Sequence, residues 1–239
     1  MVRVMSYEES ARFRGMKTNA YFDYVSTRML FINNGFLVQA CILSAQTIEK
    51  LLKSIIFLHG YPVNKSHDVF ALYQYLKHKM LALESQEHLP DLNPEYLRVL
   101  SNIYQSRYIG DCPPGFNYLL LKNKFLAEFD YTFDALYKHS GMLYVNEGKA
   151  DGDDAIKVEP NKNGQFSGYN YLYLKQTKDE FLNQLETVTE FRIFPNYRHV
   201  LAVYTIARSF DDGKFLYDGL IGEKLVQFTP IDEVKFLVR

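Results

Sequence analysis

The segment from Phe36 to His59 constrains the fold most, because a long helix with a continuous apolar face must be covered by other helices. Its apolar and small residues recur at steps of four and three: Leu37, Cys41, Ser44, Ile48, Leu51 and Ile55. That spacing predicts an α-helix with one apolar stripe. Gly60 and Pro62 are expected to end it. The segment therefore predicts the central helix of a bundle.

A well-marked helix start follows at Ser66-His67-Asp68. Ser66 is expected to cap this helix, and Asp68 to lie in its first turn beside the positive end of the helix dipole. His67 is then expected to make a local hydrogen bond at the helix start. On the preceding helix, Glu49 and Lys53 have the favourable i,i+4 orientation of an acid and a base. Both are expected on a solvated helix face.

The rest of the first half also has helical periods. Residues 1 to about 16 are interpreted as a polar lead-in to the first helix. Further along, Asn93-Pro94-Glu95 predicts a helix start, because it combines a capping Asn with Pro at the first helical position. The expected helices cover residues 19–33, 36–59, 67–83, 93–108 and 117–139. Five helices joined by short loops predict a helical bundle over residues 1–140.

The pattern changes after Gly141, where short runs typical of strands replace the helical periods. Thr177 to Glu180 fits a capping box and predicts a short helix to about Thr189. Asp211-Asp212-Gly213 is a hairpin signal between two of the strands. The expected strands are residues 169–175, 200–208, 214–218, 224–228 and 234–238. The predicted fold class is therefore α+β in two domains: the bundle, then a small α+β domain with an antiparallel sheet over residues 141–239.

Composition excludes several classes of function. The net charge of −1 gives no overall case for nucleic-acid or membrane binding, so any basic surface must be local. The two cysteines, Cys41 and Cys112, are too few for a disulfide framework and lie in no metal-binding spacing. No phosphate loop or dinucleotide fingerprint occurs. We therefore expect a cytoplasmic protein with no cofactor, no metal and no membrane span.

The first half resembles the HEPN family, whose members are small helical domains often encoded beside minimal nucleotidyltransferases. Three stretches carry the resemblance, in the family's order: SAQTIEKLLKSIIFLHG (44–60), SHDVFALYQYL (66–76) and IYQSRYIGDCPPG (103–115). With the following helix, the resemblance covers about residues 19–140. Residues 141–239 show no such resemblance.

The resemblance implies two kinds of activity. Some HEPN domains are metal-independent ribonucleases that act as toxins or antiviral effectors. Their motif has an Arg and a His with four to six residues between them, and two such motifs meet across a dimer. Arg107 matches the Arg, but Cys112, Pro113 and Pro114 occupy the positions expected for the His. Other members lack the pair and serve as binding modules. The leading hypothesis is therefore a non-catalytic module that binds nucleotide, RNA or a partner protein, in a toxin–antitoxin or phage-defence system.

The resemblance also implies the site residues. Arg107, Lys53, Tyr108 and His67 are the expected ligand-binding residues. In a first alternative, Arg107 and His67 are the catalytic residues of an atypical ribonuclease, in which Arg holds the phosphate and His moves protons. In a second, the chain is a structural dimerisation protein. Because the family makes dimers through its bundle, the resemblance also implies a homodimer, or a heterodimer with a partner, through the helical half. A nucleotidyltransferase-type protein is one candidate partner.

Overall fold

The computed structural model describes residues 5–32, 37–63, 65–82, 88–105, 117–143, 177, 180, 186–193 and 199–206. Within these ranges the elements are α1 (Tyr7–Ile32), α2 (Leu37–Leu58), α3 (Val69–Ala82), α4 (Pro94–Gln105), β1 (Asn117–Leu121), α5 (Lys122–Leu143), β2 (Glu186–Ile193) and β3 (His199–Ile206). The five helices form the predicted bundle. None of the described helices is long and apolar enough to cross a membrane.

Helix α2 is the centre of the bundle and contacts α1, α3, α4 and α5. Its predicted stripe is confirmed where side chains are described: Cys41, Ser44, Ile48, Leu51 and Ile55 are inaccessible to solvent. Other faces of the helix are buried as well, at Ala40, Ala45, Leu52 and Ile56. A helix that is apolar on most sides is surrounded by its neighbours. Truncating one of its large aliphatic side chains to alanine would cost about 2–5 kcal/mol.

The chain leaves α2 through a glycine turn. Gly60 has a φ of 73°, a backbone conformation that glycine adopts without steric cost. The Tyr61 N–H donates to the Ile56 carbonyl at 3.1 Å, and the Gly60 N–H donates to the Phe57 carbonyl at 2.9 Å. These two bonds form a Schellman motif, which satisfies the last carbonyls of the helix. The predicted end of α2 at Gly60 is thus confirmed.

Helix α1 is longer than expected. It begins at Tyr7, so the interpretation of residues 1–16 as a polar lead-in is wrong from that residue on. A capping box explains the start: the Glu9 N–H donates to Ser6 Oγ at 3.2 Å, and the Ser6 N–H donates to Glu9 Oε2 at 2.9 Å. The sequence Ser6-Tyr7-Glu8-Glu9 contains the signal for this box.

The predicted fold class is wrong in its second half. The described part of the chain that forms a packed core is helical, and it shows no separate α+β domain with a sheet of its own. The described strands have the order β1-β2-β3, and β1 comes from the helical half, between α4 and α5. Antiparallel pairing places Asn117 opposite Arg192. Residues 117–121 were expected to be helical, but a short apolar run does not distinguish a strand from a helix.

The short helix predicted from Thr177 to Thr189 is also wrong in its second part. Its capping box is present, with the Thr177 N–H donating to Glu180 Oε2 at 2.7 Å and the Glu180 N–H donating to Thr177 Oγ1 at 3.1 Å. Residues 186–193, however, form β2. This segment, ETVTEFRI, is rich in β-branched residues, which favour strands. The local start signal therefore does not determine the structure of the residues that follow.

Of the strands expected in the second half, one lies within the described residues, and the expectations for the others stay predictions. The strand expected over residues 200–208 is present as β3, which pairs antiparallel with β2. The other strands, and the hairpin at Asp211-Asp212-Gly213, lie outside the described residues. The domain boundary between residues 140 and 141 is not tested, because the structure describes nothing from residue 144 to 176.

A buried ion pair joins α1 to α5. Arg28 Nη1 donates to both carboxylate oxygens of Asp130, at 2.6 and 2.5 Å, and the Tyr24 hydroxyl donates to Asp130 Oδ1 at 2.8 Å. The two charged side chains are 1% and 0% exposed. The ring of Tyr24 also stacks on Phe133, with centroids 3.8 Å apart. Burial raises the pKa of the Asp130 carboxyl, and Arg28 and Tyr24 offset part of that rise.

Candidate functional site

The candidate site is built around the carboxylate of Glu49 on α2. The Lys53 ammonium donates to Glu49 Oε1 at 2.7 Å, so the predicted i,i+4 pair is confirmed. The expectation of a solvated face is wrong for Glu49, because this residue is only 7% exposed. The Lys53 side chain is only 16% exposed, so both members of the pair have little contact with solvent. A nearly buried carboxylate needs such partners to offset its loss of hydration.

His67 is the second partner of this carboxylate. Its Nδ1 lies 3.0 Å from Glu49 Oε1 and 3.1 Å from Oε2, and its side chain is 52% exposed. A carboxylate only accepts hydrogen bonds, so we assign the Nδ1 proton to the bond with Glu49. In the neutral ring, Nε2 then has a free lone pair. No described residue forms a hydrogen bond with Nε2. With respect to the described residues, the imidazole is thus held at Nδ1 while half of its side chain is exposed.

Tyr104 on α4 completes the arrangement. Its ring stacks on the His67 imidazole with centroids 5.1 Å apart and an interplanar angle of 24°. Its hydroxyl oxygen lies 3.2 Å from His67 Nδ1, and the residue is 7% exposed. A buried aromatic ring behind the imidazole limits its rotation. Glu49, Lys53, His67 and Tyr104 are called the Glu49 cluster below.

The start of α3 explains why His67 is available to Glu49. Asp68, and not Ser66, is the capping residue: the Ala71 N–H donates to Asp68 Oδ1 at 2.9 Å. Ser66 Oγ accepts a bond from the Asp68 N–H, at 3.1 Å, within the residues that precede the helix. The expectations that Ser66 caps the helix and that His67 serves its start are therefore wrong. Because Asp68 satisfies the helix end, the His67 side chain takes a partner on α2 instead.

Ser101 fixes α4 against the start of α3. Its hydroxyl donates to Asp68 Oδ1 at 2.8 Å and accepts a bond from the Phe70 N–H at 3.0 Å. Tyr104 lies one turn further along α4, so this contact also sets the distance from its ring to His67. The site therefore depends on the packing of three helices.

The structure brings together two of the four residues predicted for the site. Lys53 and His67 share the carboxylate of Glu49. Arg107 and Tyr108 lie outside the described residues, although α4 ends at Gln105, just before them in the sequence.

The sequence interpretation missed two members of the cluster. Tyr104 was not among the predicted site residues, and Glu49 was expected on a solvated face. The spacing of Glu49 from Lys53 predicted their pairing, but no sequence signal linked Glu49 to a residue 18 positions later. For Tyr104 the sequence offered one indication, because this residue lies only three positions before Arg107, a predicted site residue.

The chemistry of the cluster follows from its charges. The carboxylate and the ammonium cancel, so a protonated His67 gives the cluster one net positive charge, and a neutral His67 gives none. The exposed edge of the imidazole can donate a hydrogen bond to a phosphate or accept a proton from a hydroxyl group. Within the described residues, no group of three metal-ligating side chains is present.

Comparison with known proteins gives one match. The family model described as the HEPN domain matches residues 19–122, from the middle of α1 to the first residue of α5. No curated protein and no solved structure matches the chain. The match includes every residue of the Glu49 cluster: Glu49 and Lys53 on α2, His67 just before α3, and Tyr104 on α4. Residues 19–122 of this chain are a HEPN domain.

Proposed function

We propose that the HEPN domain is a non-catalytic module that binds a phosphate-bearing ligand, a nucleotide or RNA, at the Glu49 cluster. One observation carries the proposal: His67 is held by Glu49 at Nδ1 while half of its side chain remains exposed. Such a ring presents a donor at a fixed position when protonated. The Lys53 ammonium donates a hydrogen bond to the same carboxylate. Arg107, which follows α4, supplies a planar donor group suited to phosphate.

The absence of the family's Arg-to-His spacing supports a binding role over cleavage. Cys112, Pro113 and Pro114 stand where a ribonuclease of this family has its His. A proline side chain cannot move a proton. Cleavage would then require a histidine from another part of the chain within hydrogen-bonding distance of the reacting hydroxyl.

The test is a titration of the purified full-length chain with labelled oligouridine and with AMP. We expect binding without cleavage, weakened by His67→Ala and by Arg107→Ala. His78→Ala is the matched control, because His78 is an exposed histidine on α3. A wild-type protein that binds neither probe, or a His78→Ala variant that loses binding as His67→Ala does, would contradict the proposal.

A second candidate function is an atypical metal-independent ribonuclease, and the contact between Glu49 and His67 favours it. In serine hydrolases a carboxylate holds the catalytic histidine in the same way and stabilises its protonated form. Here His67 Nε2 would take the proton of a ribose hydroxyl, and Arg107 would hold the phosphate. Cleavage of single-stranded RNA in the presence of EDTA, lost in both His67→Ala and Arg107→Ala, would establish this function in place of the first.

We propose that the helical half also mediates assembly, with a second copy or with a nucleotidyltransferase-type partner of a toxin–antitoxin or phage-defence system. Phe22 and Met29 are 57% and 41% exposed and lie two turns apart on α1. Exposed apolar side chains on one helix face favour a protein contact. Light scattering should show a dimer that Phe22→Asp weakens. A wild-type monomer at tens of micromolar that captures no partner would contradict this.

A further inference from the structure

An exposed face of α1 has small residues at one end and large apolar side chains at the other. Ala11 and Gly15 are exposed in the N-terminal half of the helix, and Phe22 and Met29 in the C-terminal half. Their spacing places all four within about 40° of one another around the helix axis. The face therefore has a shallow notch at Gly15 and a projecting ring at Phe22.

The glycine at position 15 is not explained by contacts within the described part of the chain. A glycine inside a helix lowers the stability of the helix relative to alanine. Gly15 lies inside α1 without a positive φ, so its backbone conformation suits any residue. A Cβ atom built on Gly15 would meet nothing within 4 Å in the described residues. The missing side chain instead leaves room for a close approach to α1 from outside.

The notch and the projecting ring match each other when two copies of α1 run antiparallel. Phe22 follows Gly15 by seven residues, so a two-fold axis midway between them passes beside Asn19. This axis places Phe22 of each copy opposite Gly15 of the second copy. It also places Met29 within one turn of Ala11 of the second copy. The exposed face of α1 is therefore complementary to itself.

Charges beside this face also match in the antiparallel arrangement. The Arg12 guanidinium carbon is 5.2 Å from the ring centroid of Phe57 on α2, and the carboxylate of Asp23 pairs with Lys50 on α2. Both charges thus lie on the side of the face next to α2. The same two-fold axis brings these sides together, with Arg12 about 3 Å along the helix from Asp23 of the second copy. A parallel pair would instead place Arg12 beside Arg14 of the second copy, and like charges oppose that arrangement.

We propose that the partner bound at α1 is a second copy of this chain, held by an antiparallel α1–α1 contact in which Phe22 of each copy packs over Gly15 of the other. This inference rests on the proposed assembly through the helical half, and it names the partner and the surface. No residue of the Glu49 cluster lies on α1. The contact is therefore separate from the cluster, and it differs from a dimer in which two Arg-to-His motifs meet.

Cysteine cross-linking of the full-length chain tests the geometry. Cys112→Ser is the background, and Cys41 stays because it is buried. Asn19→Cys lies beside the two-fold axis, whereas Ser26→Cys, exposed on the same face, lies about 22 Å along the helix from its equivalent. A disulfide needs Cα atoms within about 7 Å. Under mild oxidation we expect a cross-linked dimer for Asn19→Cys and none for Ser26→Cys. Equal cross-linking of both indicates a parallel pair and overturns the inference, as does no cross-linking of Asn19→Cys.

Filling the notch tests the contact itself. Gly15→Leu should raise the dimer dissociation constant about tenfold or more, because its side chain occupies the space that Phe22 needs. The melting temperature of the dilute monomer should not fall, because leucine favours a helix more than glycine does and has open space there. Leu81→Asp is the control, since Leu81 is an exposed apolar residue on α3, and its dimer should match wild type.

The outcomes separate this inference from the proposed assembly. A dimer that survives Gly15→Leu but dissociates in Phe22→Asp overturns the notch contact and leaves assembly through the helical half standing. A wild-type monomer that captures a different protein does the same. A wild-type monomer at tens of micromolar that captures no partner overturns both.

Discussion

Two clusters in this bundle use similar side chains in different surroundings. The α1–α5 cluster combines Asp130 with Arg28 and Tyr24, and all three are almost fully buried. The Glu49 cluster combines a carboxylate with a lysine, a histidine and a tyrosine, but its histidine is half exposed. In each, a carboxylate accepts bonds from a cation on a helix.

The difference teaches that burial, more than residue type, separates a structural ion pair from a candidate site. A fully buried pair is strongly coupled, and removing one partner leaves an uncompensated charge in the interior. A pair that reaches the surface has water as an alternative partner, so its side chains can exchange one contact for another. The first cluster should therefore control stability, and the second should control binding.

The largest effect is expected at the buried pair. Arg28→Ala leaves the Asp130 carboxylate without its cation and should lower the free energy of unfolding by about 3–5 kcal/mol. Urea denaturation of the full-length chain measures this. The control is the double variant Arg28→Met with Asp130→Leu, which removes both charges and should be less destabilised than the single variant. A loss below about 1 kcal/mol in Arg28→Ala would show that the pair is not structural.

The next effect is a pH dependence from Asp130. Burial raises the pKa of this carboxyl above its ordinary value of 3.8, so the folded chain retains a proton that the unfolded chain releases. Between those two pKa values, unfolding releases a proton, and the contribution of Asp130 to stability falls as pH rises. The stability of wild type relative to Asp130→Asn should therefore be greatest at low pH. A difference that grows as pH rises would mean that Arg28 outweighs burial.

A smaller loss is expected in the Glu49 cluster. Glu49→Gln keeps the shape of the side chain but removes the charge that holds Lys53 and His67. Because both partners reach solvent, the cost should be about 1 kcal/mol, well below that of Arg28→Ala. Denaturant titration gives the cost, and oligouridine binding should change in the same variant. A loss as large as that of Arg28→Ala would place Glu49 among the structural residues.

The smallest stability effect is expected for His67→Ala, within about 0.5 kcal/mol of wild type. Asp68 caps α3 without it, and the imidazole is already half exposed. Asp68→Ala is the matched comparison at the next position, where loss of the cap should cost about 1 kcal/mol. If His67→Ala is the more destabilising of the two, the histidine supports the fold and the contrast between the clusters fails.

The helices could be predicted from sequence wherever local patterns determine them. The apolar stripe through Ile48 and Leu51 correctly predicted α2, and Gly60 correctly predicted where this helix ends. The cap predicted at Asn93-Pro94 is also present, because the Asn93 side chain accepts bonds from the Glu95 and Tyr96 N–H groups. The start of α1 was equally local, but its capping box at Ser6 was overlooked.

Long-range contacts were not predictable in the same way. Residues 117–121 form a strand because β2, far along the chain, pairs with them. The contact of His67 with Glu49, and that of Arg28 with Asp130, depend on how helices pack and not on any periodicity. Lys53 and His67 were thus predicted from the sequence as site residues. Glu49 and Tyr104, which position them, could be identified only from the fold.

The separation of Arg28 from Asp130 has a consequence for synthesis of the chain. The two residues are 102 positions apart in sequence. At about 5–20 residues per second, a ribosome takes roughly 5–20 s to reach Asp130 after Arg28. During that time α1 and α2 can pair, but the guanidinium has no Asp130 to receive it and must stay hydrated. The groove later filled by α5 therefore remains open to water until translation passes Asp130, and the bundle closes only then.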